Sequence, residues 1–276
     1  MKTRILTAAV MLALFVPVLC FSHLIVYPIA MALLAAIGAF ELLRCLGLVR
    51  DYMLSVPGIL LPAVMTFTAR LTSSPVAHLA ALTAVFFLLL LYAFALTVLR
   101  AGALRYGTLT GAVGGLFYVT VAFSAMVLLR DLENGVFLFL LPFIGSWVTD
   151  TFAYFTGRLF GRHKLAPVIS PKKTVEGSLG GILFAVAVFG LYGWIVSGRG
   201  PVPNYPILLL AGLLVSVVSQ IGDLALSAIK REYGIKDYSR LFPGHGGVLD
   251  RFDSVIATAP LILWFCLLGG SFSLFS

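Results

Sequence analysis

Charge is scarce in this sequence of 276 residues, of which Asp, Glu, Lys and Arg together make up 11%. A soluble domain carries about 25%. The shortage excludes a water-facing globule, and the apolar excess that accompanies it excludes a disordered chain. Acids are the rarer sign, 11 against 19 Lys and Arg, which leaves a formal charge of +8. Cysteine is rare too. Cys20, Cys45 and Cys266 lie in or beside apolar runs without paired spacing, so a disulfide scaffold is excluded and packing is their simplest role. The chain has no internal repeat, no low-complexity tract, no soluble module and no RNA-binding signature. Its positive charge is therefore not read as a nucleic-acid surface.

What the sequence has in abundance is apolar length. Hydrophobic residues make up 61%, and residues 5–40, 52–69, 71–99, 106–129, 134–149, 177–198, 200–222 and 254–276 are free of charge. A helix of about 20 residues spans a hydrocarbon core. The first stretch, as one helix, would run about 54 Å, so it is expected to fold back near Ser22 and His23. Nine spans follow, near 5–22, 24–44, 56–72, 77–99, 108–129, 136–157, 178–197, 205–230 and 253–274. The expected fold class is all-α, a polytopic transmembrane helical bundle. It is read as a single integral membrane domain over 1–276, with 1–135 mainly scaffold and 136–276 holding the catalytic spans and loops. Lys2 and Arg4 precede an apolar run with no small-residue cleavage site, and Leu19 before Cys20 argues against lipoprotein processing. The segment is kept as helix one.

Basic residues stay on the cytoplasmic side of a membrane protein. On alternate sides of nine spans, all of the 19 Lys and Arg but Arg70, Arg130 and Arg199 fall together. The N-terminus is thus expected inside, and loops 158–176 and 231–252 with it. Pro167, Pro171, Pro243 and the cluster Gly244, Gly246, Gly247 give those loops local turns. Gly111 with Gly115, and Gly177 with Gly181, are spaced for close helix approach.

Seven of the 11 acids lie between Asp150 and Asp253, so chemistry is expected in the last four spans. Asp223 follows an uncharged run and precedes Lys230 by seven residues, about 10 Å inside the basic end of its helix. Asp150 lies eight residues before Arg158, at a similar depth. Carboxylates in spans usually face the bundle interior, because lipid cannot solvate them. Asp250 and Asp253 are spaced i, i+3 at the start of the last span, where acids also favour a helix N-terminus. Such acids repel one another unless protonated or joined by a cation. Oxygen-only ligands favour a hard ion such as Mg²⁺, which commonly links one or two carboxylates to substrate phosphates.

The basic loops complete a metal-phosphate reading. Lys172 and Lys173, in the run Ser170-Pro171-Lys172-Lys173-Thr174, and Lys230, Arg231, Lys236, Arg240 and Arg251 could neutralise phosphate oxygens. Attraction to anionic headgroups of membrane lipids is the alternative. Gly246 and Gly247 form either a turn whose amides approach a phosphate or a helix-breaking turn alone. His245 has three open roles: proton transfer, phosphate binding or orienting the loop.

The run Ser227-x-x-Lys230-Arg231-x-x-x-x-Lys236-Asp237-x-x-x-x-Phe242-Pro243-Gly244-His245-Gly246-Gly247-x-x-Asp250-Arg251-x-Asp253 resembles the signature of the phosphatidate cytidylyltransferases, or CDP-diacylglycerol synthases. Asp150-Thr151-x-Ala153-Tyr154-x-x-Gly157-Arg158 and Ser170-Pro171-Lys172-Lys173-Thr174-x-Glu176-Gly177 are similar to further segments of that family. Val175 departs from it where many relatives carry an aromatic. The motifs cover 147–254, and the first half matches only as apolar spans.

The resemblance implies transfer of a cytidylyl group from CTP to phosphatidate at an integral enzyme of the inner membrane, its active site facing the cytoplasm. It implies Mg²⁺ at Asp223 and Asp250, with Asp253 beside them, K⁺ as a candidate second ion, and a homodimer. Lys173, His245 and Arg251 take catalytic places in this reading. Ser170, Lys172, Thr174, Lys230, Arg231, Lys236, Gly246, Gly247 and Asp150 take substrate-binding ones. The competing classes are a lipid kinase of the dolichol or phytol type, an ion-coupled transporter and a non-catalytic membrane scaffold.

Overall fold

A computed structural model of the chain describes residues 2–100 and 105–275, with side chains described from Leu6 onward; the charges of Lys2 and Arg4 lie outside it. The helices are α1 (Lys2–Cys20), α2 (Val26–Cys45), α3 (Tyr52–Thr68), α4 (Pro75–Leu99), α5 (Tyr106–Asp131), the short α6 (Gly135–Leu138), α7 (Leu141–Phe160), α8 (Val175–Ser197), α9 (Tyr205–Glu232) and α10 (Leu249–Leu268). Among the described residues, eight helical segments are long and apolar enough to cross a membrane, with α6 and α7 running together as one. The ninth expected span is α1, whose described apolar part, Leu6–Cys20, is shorter. The chain turns between α1 and α2 where expected, with Ser22 N donating to Leu19 O at 3.2 Å and Leu24 N to Phe21 O at 2.9 Å.

Local chemistry sets several ends. Ser74 caps α4 by accepting from Ala77 N at 3.3 Å, and Pro75 fills the first helical position, where its missing N–H costs nothing. The 158–176 segment holds more order than a loop. Helix α7 continues through Arg158 to Phe160, and β1 (Lys164–Ala166) pairs antiparallel with β2 (Ser170–Thr174), with Lys164 opposite Thr174 and Ala166 opposite Ser170.

The chain forms two compact units. One comprises Met1–Leu128 and Tyr233–Arg251, the other Leu129–Glu232 and Phe252–Ser276. In the first, Tyr27 donates to the Met126 carbonyl at 3.1 Å, and a Cβ on Gly115 would lie 2.5 Å from Leu42 Cδ2. Gly111 meets nothing within 4 Å. Of that expected packing pair, only Gly115 packs.

In the second unit both members of the other pair pack. A Cβ on Gly177 would lie 2.6 Å from the Ala153 carbonyl, and one on Gly181 would lie 2.9 Å from the Thr149 carbonyl, so α8 rides directly on the α7 backbone. Phe189 of α8 fills the space that Gly145 of α7 and Gly212 of α9 leave open. Lipid is as apolar as these side chains, so such interfaces rely on close backbone approach and hydrogen bonds. The bonds are present: Thr149 Oγ1 donates to Gly145 O at 2.7 Å and lies 2.9 Å from Ser216 Oγ, while Ser146 Oγ lies 3.2 Å from Thr258 Oγ1.

Candidate active site

The second unit gathers charge inside its helices. Asp150 of α7, Asp223 and Lys230 of α9, Asp253 of α10 and Lys173 of β2 are electrostatic neighbours. Lys173 Nζ lies 2.6 Å from Asp223 Oδ2. Ser227, one helical turn on, donates to Asp223 Oδ1 at 3.2 Å. Ser254 ties the other two acids, its hydroxyl donating to Asp150 Oδ2 at 3.0 Å and its amide to Asp253 Oδ1 at 2.9 Å. Three carboxyl groups here stand against two ammonium groups. Asp150 is exposed and Asp223 and Asp253 are half-buried. Lipid cannot solvate an open carboxylate, and acids within spans therefore usually face the bundle interior.

The hairpin delivers Lys173 to this place because its base is clamped. Thr174, next in sequence, caps α8 by accepting from Gly177 N at 3.1 Å. Gly157 and Gly161 leave room for it, since a Cβ on either would come within 2.8 Å of the Thr174 side chain. Glu176, in the first turn of α8, accepts from Arg162 N at 3.0 Å and His163 N at 3.2 Å, and its Oε1 lies 2.6 Å from His163 Nδ1. The segment read as a substrate-binding run is thus a rigid arm. Thr174 serves as its hinge pin, with its hydroxyl committed to the helix. Ser170 and Lys172 lie on the same strand, Lys172 exposed.

The first unit holds the glycine-rich turn, for which a phosphate-approaching turn and a helix-breaking turn were both open readings. The amides of His245 and Gly246 donate to Phe242 O at 2.8 and 3.1 Å. Gly247 N donates to Asp250 Oδ2 at 2.9 Å, as does Tyr238 N at 2.8 Å. Val248 N and Leu249 N donate to Glu41 of α2 at 3.0 and 2.9 Å. The amides from 245 to 249 are engaged by the chain's own acceptors, so this turn is no open phosphate cradle. Its glycines serve two other needs. Gly244 and Gly246 take left-handed φ values of 77° and 84°, and a Cβ on Gly246 or Gly247 would come within 2.6 Å of the Asp250 or Glu41 carboxylate.

Among the residues expected at the site, Lys173, Asp150, Asp223, Asp253 and Lys230 come together in one unit. Lys230, read as a substrate-binding cation, is buried at 7% exposure. Lys236, His245, Gly246, Gly247, Asp250 and Arg251 belong to the other unit, and His245 Nδ1 is buried with no hydrogen-bond partner among the described residues. Arg231, Lys236 and Arg251 are exposed. Sequence reasoning missed Glu41, which it left in the scaffold, and Ser254. The available signal for Glu41 was a lone acid closing an otherwise uncharged run of 36 residues.

Among the described residues no three His, Cys, Asp or Glu side chains gather closely enough to hold an ion on their own. Asp223, Asp250 and Asp253 therefore form no protein-only cage. Mg²⁺ rarely uses one, keeping waters and one or two carboxylates and taking further oxygens from substrate phosphates. The sparse, net-negative group around Asp223 and Asp253 fits that habit.

Comparison with known proteins agrees with the motifs. The model of the cytidylyltransferase family matches residues 2–268. A phosphatidate cytidylyltransferase of Staphylococcus epidermidis is 38% identical over 267 residues, covering 95% of this chain and 97% of the relative. Those of Staphylococcus haemolyticus and Staphylococcus aureus are 36% identical over 266 and 267 residues, with the same coverage. The resemblance read from residues 227–253 is borne out, and the family match extends it over the first half, where the sequence reading found only apolar spans. By its motifs, its helices and this nearly end-to-end match, the chain belongs to the cytidylyltransferase family and is a multi-pass integral membrane enzyme.

Proposed function

We propose that this chain transfers the cytidylyl group of CTP to phosphatidate, forming CDP-diacylglycerol and pyrophosphate for phospholipid synthesis. The observation that supports it most is the carboxylate group of Asp150, Asp223 and Asp253 with Lys173 on its edge, set within membrane-spanning helices of a chain whose relatives bear that activity's name. A phosphomonoester loses its second proton near pH 6. The lipid phosphate is therefore mostly a dianion at neutral pH and needs no general base. One of its oxygens bonds to the α-phosphorus of CTP while the bond from that phosphorus to the β-bridging oxygen breaks. Pyrophosphate departs with the electron pair.

The remaining task is to hold two polyanions together, which positioned cations do in phosphoryl transfer generally. We assign Mg²⁺ to Asp223 and Asp253, with Asp250 as the further acid that the motif implies and K⁺ as a second ion. Bound there, Mg²⁺ would offset charge on the triphosphate and on the leaving group. Lys173, already 2.6 Å from Asp223, is placed to exchange that carboxylate for a phosphate oxygen. Ser254 holds Asp150 and Asp253 in fixed orientations. Lys172 and Arg231 in one unit, and Lys236 and Arg251 in the other, are exposed cations that attract the anionic substrates, and a homodimer belongs to the same reading.

Label position in CTP tests the reaction. With purified protein, phosphatidate and Mg²⁺, label in the α-phosphate is expected in the lipid, and label in the γ-phosphate in free pyrophosphate. Label from the γ-phosphate in the lipid would instead make the protein a lipid kinase. Turnover also separates this reading from an ion-coupled transporter, which moves solute across sealed vesicles without consuming nucleotide.

The reading places the site on the cytoplasmic face of the inner membrane, with the β1–β2 hairpin exposed there. Val168, at the hairpin tip, is 87% exposed. In a background lacking Cys20, Cys45 and Cys266, Val168→Cys is expected to react with an impermeant maleimide in inverted vesicles and not in intact cells. The reverse pattern would invert the topology.

A further inference from the structure

Glu41 is the one carboxylate of α2, and it is 1% exposed. A buried charge in such a place is costly unless it is fully bonded. Its partners come from far along the chain. Ser239 Oγ donates to Oε1 at 2.6 Å, Val248 N to Oε1 at 3.0 Å and Leu249 N to Oε2 at 2.9 Å. The turn is shaped around the carboxylate, since a Cβ on Gly247 would lie 2.1 Å from Oε1.

The Val248 and Leu249 amides stand at the start of α10, among the donors that a helix leaves without internal partners. A side chain just before the helix usually satisfies them. Here α2 supplies the cap, and an anion there also suits the positive end of the helix dipole. The next residue is Asp250, whose Oδ2 accepts from Gly247 N and Tyr238 N. The backbone leading into Asp250 is thus held by Glu41, while the Asp250 side chain binds the turn immediately before it. If the cap is lost, residues 247–249 lose two acceptors and Asp250 loses its fixed orientation.

We propose that Glu41 is a positioning residue for the transfer reaction, acting from α2 as the N-terminal cap of α10 and so fixing the direction in which Asp250 points. This rests on the reading of Asp250 given above. Glu41 touches neither substrate nor metal in this role.

The test uses the full chain reconstituted in lipid vesicles. Glu41→Gln keeps the size of the side chain but turns one acceptor into a donor that faces other donors. Its kcat and its Mn²⁺ affinity, read by electron paramagnetic resonance without substrate, are each expected to fall by about ten- to a hundredfold, as when outer-shell partners are removed, with the KM for CTP little changed. Hydrogen exchange at Val248 and Leu249 should accelerate. Glu41→Asp, which keeps the charge on a shorter arm, should recover part of each loss. Ser239→Ala removes one of the three bonds, and should shift the same readouts in the same direction by less, even if Glu41→Gln fails to fold. Wild-type kcat and Mn²⁺ affinity per folded molecule, in Glu41→Gln or, failing that, in Ser239→Ala, would overturn the proposal and leave Glu41 a structural role only. Absence of cytidylyl transfer in the wild-type protein would overturn the functional reading instead, and exchange at 248 and 249 would still report whether Glu41 caps α10.

Discussion

An Asp223→Asn protein is expected to insert and fold as the wild type does while turning over roughly three orders of magnitude more slowly, the upper range for removing one electrostatic contact to a reacting group. The fold should survive because Asp223 has light structural duties. Its side chain is 25% exposed, and its partners are Lys173 at 2.6 Å and Ser227 at 3.2 Å. A carboxamide oxygen still accepts from Ser227. The lost pairing with Lys173 is a partly exposed one, a class worth about 1 kcal/mol or less. The charge is what the substitution removes: two carboxyl groups, Asp150 and Asp253, then face Lys173 and Lys230, and the surplus assigned above to a divalent ion is gone. Transfer of α-labelled CTP gives the rate, and thermal unfolding in detergent gives the stability. Asp250→Asn should behave alike, because its carboxamide oxygen can keep the Tyr238 and Gly247 amide bonds. Near-normal turnover in either folded variant would refute its metal role.

Gly247→Ala is expected to damage the molecule more broadly. The added carbon would lie 2.1 Å from Glu41 Oε1 and 2.5 Å from its Cδ, so either the turn or the carboxylate has to move. Overpacking typically costs ~1–3 kcal/mol, and here the shift also breaks bonds to a buried charge. The variant should therefore show both a lower unfolding temperature and little transfer activity. Unlike Asp223→Asn, it should not separate stability from turnover. An unchanged melting temperature would mean that the loop accommodates the methyl group and that its packing against Glu41 is loose.

The helices were legible because most apolar runs are about as long as a membrane span and end in charge or in turn residues, as at Ser74-Pro75 ahead of α4. Asp150, Asp223 and Asp253 were legible for the converse reason, since a carboxylate in a span stands out. The hairpin was not, because β1 has three residues and β2 contains Pro171, which leaves no alternation long enough to read. Glu41 was missed because its meaning is non-local: its partners lie 198 to 208 residues away. The glycine-rich turn was read by its familiar use around phosphates. Its amides are taken by the Phe242 carbonyl, Asp250 and Glu41, pairings that the spacing of its glycines does not encode. Gly111 and Gly115 share one spacing, but only Gly115 meets a neighbour.

Anomalous scattering from crystals grown with Mn²⁺ and a non-hydrolysable CTP analogue addresses the carboxylate site most directly. The account predicts a peak within coordinating distance of an Asp223 oxygen, shared with the triphosphate, and none in Asp223→Asn crystals. A peak bound elsewhere, or nucleotide seated away from residue 223 with no metal beside it, would contradict it.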